Sequence, residues 1–92
     1  MDMERAIIHV SGVVQGVFFR SFTMQKASDI GLTGYVVNLP DGRVKAVVEG
    51  SKGKIDALLN ALKQGPPASR VRDVEIVWES PTGEFNDFSI RR

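Results

Sequence analysis

The tripeptide Pro40-Asp41-Gly42 stands between two β-like runs, Leu32 to Leu39 and Arg43 to Glu49. Proline presets φ for a tight turn, aspartate hydrogen-bonds its own backbone, and glycine tolerates positive φ. Together they predict a hairpin, and hence antiparallel pairing near the middle of the chain. A helical period lies on each side of it. Upstream, Phe19, Phe22, Thr23, Ala27 and Ile30 recur at helical spacing from about Arg20. Gly31 stands where a left-handed residue would end that helix. Downstream, Ile55, Leu58, Leu59 and Leu62 follow the amphipathic template, and Gly65-Pro66-Pro67 stops it. Outside the helices, Arg5 to Val13 alternates, with Ala6, Ile8 and Val10 on one face and Ile7, His9 and Ser11 on the other. Val71 to Glu79 alternates likewise, with Val74, Ile76 and Trp78 on one face. A short strand around Phe85 to Ile90 follows Ser80-Pro81-Thr82-Gly83.

The predicted order is therefore βαββαβ plus a short β, the split βαβ pattern of a ferredoxin-like fold. This is an α+β sandwich: a mainly antiparallel sheet with two helices on one face and a short extra C-terminal strand. The opposite face of such a sheet can meet water. The third strand lies between the first and second and runs antiparallel to both. The C-terminal ends of the first two strands then emerge at one edge, so the loop after Val13 approaches Asn38.

Composition narrows the functions this fold could carry. A chain of 92 residues is expected to form one domain over residues 1–92, with little core to spare for a large cofactor. There is no cysteine, hence no thiolate nucleophile, disulfide or cysteine-zinc site. No apolar run approaches the length of a membrane span. Two acids and an arginine ahead of the first apolar run argue against a signal peptide, and a cytoplasmic monomer is expected. A net charge of +1 with interspersed signs gives no broad field for nucleic acid. The small basic clusters, Arg70 with Arg72 and Arg91 with Arg92, read as solvated surface, so an anion site has to be local.

The local candidate is GVVQGVFFR, Gly12 to Arg20. A turn that exposes successive backbone N–H groups forms a nest for an anion, and a following helix start adds unsatisfied N–H groups. Gly16 lets the backbone bend, and Arg20 offers a planar donor fork for phosphate. On pattern alone an ordinary strand-to-helix turn with an exposed arginine remains open. So does a turn-capping role for Asn38 beside Pro40-Asp41-Gly42. No Lys-Ser/Thr pair follows Gly16, so a Walker loop is unsupported. His9, the only histidine, sits mid-strand on the polar side, and Asp41 is explained by its turn. No carboxylate–histidine cluster has metal-ligand spacing. What remains is direct attack of water on a bound phosphoryl group, carried by positioning and electrostatics. So little equipment suffices only for a good leaving group. A carboxylate, whose conjugate acid has a pKa of about 4, departs without a general acid, whereas an alkoxide needs one. An arginine-plus-amide site thus points to a mixed carboxylic–phosphoric anhydride.

Two stretches resemble a known family. GVVQGVFFR is similar to the acylphosphatase signature G-x-V-Q-G-V-x-F-R, and GYVVNLPDGRVKAVVEG, Gly34 to Gly50, resembles that family's second signature. The predicted element order over nearly the whole length also agrees with its small single-domain members. The resemblance implies hydrolysis of acyl phosphates to a carboxylate and phosphate, without cofactor, metal or covalent intermediate. By similarity, Arg20 and the backbone N–H groups of Gln15, Gly16, Val17, Phe18 and Phe19 would hold the phosphate, or a sulfate in its place. Asn38 would orient the attacking water, and a phosphate oxygen of the substrate would take its proton. The Gln15 side chain is expected to be structural. Val13 and Val37 stand where longer or basic residues are common in the family, which bears on substrate affinity more than on reaction type. Competing readings are a non-enzymatic phosphate-binding module and an interaction domain. In larger proteins, similar domains act on carbamoyl phosphate-type intermediates. The implied partner is a small-molecule acyl phosphate, with neither nucleic acid nor membrane. The scattered aromatics Phe18, Phe19, Phe22, Tyr35, Trp78, Phe85 and Phe88 are expected mostly in the core.

Overall fold

A computed structural model describes residues 2–92. The elements are β1 (Met3–Val13), α1 (Phe19–Ile30), β2 (Thr33–Asn38), β3 (Val44–Ser51), α2 (Lys52–Gln64), β4 (Arg70–Glu79) and β5 (Phe88–Arg91). The sheet order is β4-β1-β3-β2-β5. Every neighbouring pair is antiparallel except β2 with β5, which is parallel. The ferredoxin-like α+β arrangement expected from the sequence is the one observed, with β5 added at an edge. None of the described helices is long and apolar enough to cross a membrane.

Alternation in the strands and the helical period meet in one core. Ala6, Ile8, Val10, Val36, Val44, Ala46 and Val48 from the sheet close on Phe19, Ala27, Ile55, Leu58 and Leu62 from the helices. Gly31 ends α1 in the left-handed region (φ 92°), where its own N–H and that of Leu32 return to the Ala27 carbonyl. Ser51 begins α2 by accepting a 3.4 Å bond from Lys54 N–H. The β1–β4 register slips at Gly12: Ser11 pairs with Asp73 but Gly12 with Val71, leaving Arg72 as the extra residue of a bulge. A Cβ on Gly12 would lie 2.1 Å from the Arg70 carbonyl oxygen, and φ there is 126°. Only glycine fits that backbone.

The structure corrects the aromatic assignments in part. Phe19 and Phe88 are buried, but Phe18 is 82% exposed. Trp78 lies at the exposed β4 edge with the Lys52 ammonium 5.6 Å from its ring, because β4 has no neighbour beyond it. The last strand starts at Phe88 rather than Phe85, since Phe85 turns to pack against Tyr35 at 5.9 Å between ring centroids.

The sheet face away from the helices is also less open than expected. Glu49, only 2% exposed, accepts bonds from Arg5 Nε (2.7 Å), Thr82 N–H (2.8 Å) and Gly83 N–H (3.0 Å). Arg5 also donates to Glu84 (2.6 Å) and lies over the Phe85 ring. The connection from β4 to β5 is thereby folded across this face and fastened to a buried carboxylate. Burial pushes the Glu49 carboxyl up, but the Thr82 and Gly83 amides and the Arg5 guanidinium together outweigh it and hold it below its ordinary value. A carboxyl depressed in the folded state contributes stability above its unfolded value and loses it as pH falls through the folded one. Urea denaturation between pH 7 and pH 3 is expected to show stability falling below about pH 4.5. Glu49→Gln is expected to flatten that slope and to cost about 3 kcal/mol at pH 7, the low end for breaking a buried ion pair, because Arg5 keeps Glu84.

Candidate active site

The register brings β1 and β2 level with each other. Val44 of β3 pairs with Val10 on one side and with Asn38 on the other. Two strand spacings, about 10 Å, therefore separate Asn38 from Val10, four residues before the loop that leads into α1. Both strands end at this edge, as the sequence predicts.

The loop is held to the neighbouring hairpin by one side chain. Gln15 Nε2 donates to the Leu39 carbonyl (2.8 Å) and to the Arg43 carbonyl (2.9 Å). The Gln15 side chain is thus directed into the hairpin, not toward a ligand. Asp41 holds the same turn: its carboxylate accepts from Arg43 N–H (3.1 Å) and Arg43 Nε (2.9 Å). The Arg43 backbone amide, then its guanidinium, keep the Asp41 carboxyl below its ordinary value.

Beyond Gln15 the chain twists through two left-handed residues, Gly16 at φ 74° and Phe18 at φ 65°. Among the described residues, no turn or loop partner accepts a bond from the backbone N–H groups of Gln15 to Phe19. α1 then starts without a capping side chain and without an acidic residue in its first turn. Helix starts usually satisfy these donors with Ser, Thr, Asp or Asn. Here the donors are left available, the arrangement an anion needs.

A cavity of about 270 Å³ opens at this point, lined among others by Gly16, Phe18, Arg20, Ser21, Asn38 and Arg92. It falls just below the range of ordinary ligand pockets and suits a small group rather than a nucleotide. Arg20 takes part in no ion pair among the described residues. Asn38 Oδ1 is buried and accepts no hydrogen bond from the described protein atoms. An uncompensated buried acceptor costs about 1–3 kcal/mol. Of the remaining loop residues, Phe19 contributes to the lining from a buried position, while the Val17 side chain packs against the core instead. His9 stands outside the cavity; burial, then Arg43 and Lys45, hold its imidazole below the ordinary value.

The sequence profile of acylphosphatases matches residues 6–90, almost the whole chain. The chain belongs to the acylphosphatase family. It is 48% identical to an acylphosphatase of Methanococcoides burtonii over 91 residues, covering 99% of this chain and 95% of that one. The crystal structure of acylphosphatase from Bacillus subtilis superposes with a TM-score of 0.93 at 35% identity, covering 97% of this chain and 99% of that one. The chain also matches full-length HypF in its phosphate- and nucleotide-bound form, with a TM-score of 0.90 and 30% identity. That match covers 99% of this chain and 12% of the much longer HypF. The enzyme class is that of hydrolases acting on acid anhydrides, with acyl phosphates as the substrate class.

Against this acylphosphatase fold, sequence reasoning missed part of the cavity wall. Arg92, read as solvated surface, lines the cavity beside Ile90 and Ser21. Arg91 lies with its guanidinium 3.8 Å from the Tyr35 ring centroid. The parallel pairing of β5 with β2 carries these tail residues back to the site, and no local pattern announces a pairing between residues so far apart. For Gln15 the geometry yields a sharp expectation. Gln15→Ala should cost about 1–2 kcal/mol for two lost bonds. Gln15→Glu should cost more at pH 7, because a carboxylate cannot donate and faces two carbonyls. Equal stability of the two variants in urea melts would contradict this role.

Proposed function

We propose that this acylphosphatase hydrolyses the carboxyl–phosphate bond by direct attack of one oriented water, using neither a metal nor a covalent intermediate. The Arg20 guanidinium and the backbone N–H groups of Gln15, Gly16, Val17, Phe18, Phe19 and Arg20 hold the phosphoryl oxygens. Asn38 holds the water, its amide oxygen accepting one O–H while a lone pair faces phosphorus. A phosphoryl oxygen takes the proton, and the carboxylate leaves unaided. The observation that carries the reading is the pairing, in one cavity, of an arginine and a buried amide oxygen that have, among the described residues, no carboxylate partner and no donor respectively. A phosphate-binding module needs the arginine and the amides but has no use for the second. Ser21 also lines the cavity. Among the described lining residues there is neither a histidine nor a carboxylate side chain to activate it as a nucleophile.

Benzoyl phosphate is expected to be hydrolysed well above its spontaneous rate in the presence of a chelator; a rate equal to the spontaneous one would sink the proposal. Arg20→Ala should lose turnover and phosphate affinity together. Asn38→Ala should keep phosphate affinity while losing about 10²–10³ in kcat, as when one preorganised polar group is removed. Phosphate at a hundred times its Kd should stabilise the wild-type fold by about 2.7 kcal/mol, an effect absent in Arg20→Ala.

A further inference from the structure

Among the described residues, Phe18 is the only one other than glycine with positive φ. Left-handed backbone is unfavourable for a residue with a Cβ, and asparagine or glycine tolerates it best. The Phe18 ring gains no compensating burial, being 82% exposed. A lone exposed apolar residue is ordinary on a protein surface. Phe18 differs in its position, because it caps α1, belongs to the twisted loop, and lines the same cavity as Arg20 and Asn38. The next residue, Phe19, already fills the inward place in the core and packs on Phe22 at 6.1 Å. Thus the fold needs an aromatic ring at 19 and not at 18.

The polar side of the cavity is occupied by what a phosphoryl group requires: loop amides, Arg20 and Asn38. An acyl group attached to a phosphoryl group held there lies against the rest of the lining, which includes Phe18 and Ile90. Phe18 is the solvent-exposed apolar residue of that lining, and Ile90 adds a second apolar residue to it. We propose that the Phe18 side chain is a specificity-determining contact for the acyl group, favouring aromatic and other flat apolar acyl phosphates over short aliphatic ones. This inference rests on the hydrolytic reading above and adds to it a role for a side chain whose backbone alone serves the phosphate.

The test compares benzoyl phosphate with acetyl phosphate in wild type, Phe18→Ala and Phe18→Trp. In Phe18→Ala the ratio of kcat/KM for benzoyl over acetyl phosphate should fall about five- to tenfold, the size of one aromatic contact, and Phe18→Trp should restore it. Benzylphosphonate, which cannot be hydrolysed, should lose affinity in Phe18→Ala by the same factor relative to methylphosphonate. Phe18→Asn should unfold at no lower urea concentration than wild type. An unchanged ratio in Phe18→Ala, or a uniform loss on both substrates, overturns the role of the ring while leaving the hydrolytic reading intact. Lower stability of Phe18→Asn would place the ring in the fold and overturn it too. A wild-type protein that hydrolyses neither substrate overturns both.

Discussion

Everything at the candidate site depends on the double pairing of β3. Because Val44 is the common partner of Val10 and Asn38, the first two strands end together, and their side chains keep the same phase across the sheet. Side chains in a strand alternate with period two, so a slip of one residue would turn Asn38 to the opposite face. The slip is opposed by burial: Val36, Val44, Ala46 and Val48 are all at or below 1% exposure on the helix side. The hydrophobic core therefore holds not only the fold but also the side of the sheet on which the amide appears. Gln15 then carries that precision from the hairpin into the loop, through two bonds to its carbonyls.

Charges are distributed between the two ends of the sheet in opposite ways. At the start of β1, Arg5 meets Glu49 and Glu84, and the buried carboxylate has several donors. At the far end, Arg20 has no carboxylate partner among the described residues and α1 begins uncapped. A carboxylate near Arg20 would compete with an anionic substrate; one at Glu49 lies too far along β3 to do so. The Glu49 network stabilises the fold without touching the cavity, which frees the opposite edge to remain electrostatically unbalanced.

This division also explains what could be read from residues alone. Element order, the hairpin, the Gly31 stop and the convergence of the loop on Asn38 were legible because each depends on local chemistry or on topology that few folds offer. The closure of the sheet's open face was not. Pro81-Thr82-Gly83 looks like a turn, and nothing local indicates that its amides reach a carboxylate 33 residues earlier in the chain. Arg92 was hidden for a related reason: its place follows from the parallel β2–β5 pair. Phe18 and Phe19 are chemically identical neighbours, and their opposite fates follow from the left-handed twist at 18.

That twist belongs to a group of costs gathered at one edge. Phe18 sits in a backbone region a β-carbon disfavours, Asn38 carries a buried acceptor without a donor among the described residues, and the α1 amides lack a cap. Each is worth about 1–3 kcal/mol, a sizeable share of the roughly 5–15 kcal/mol by which domains are stable. A chain of this size tolerates them because the strain is confined to the loop and one strand end, while the Glu49 network and the continuous core lie elsewhere. The hydrolytic mechanism proposed above draws on the same groups: the amides and Arg20 for phosphoryl oxygens, and Asn38 for a water proton. In that proposal, locally unsatisfied structure at that edge and chemical competence are one property viewed from two sides.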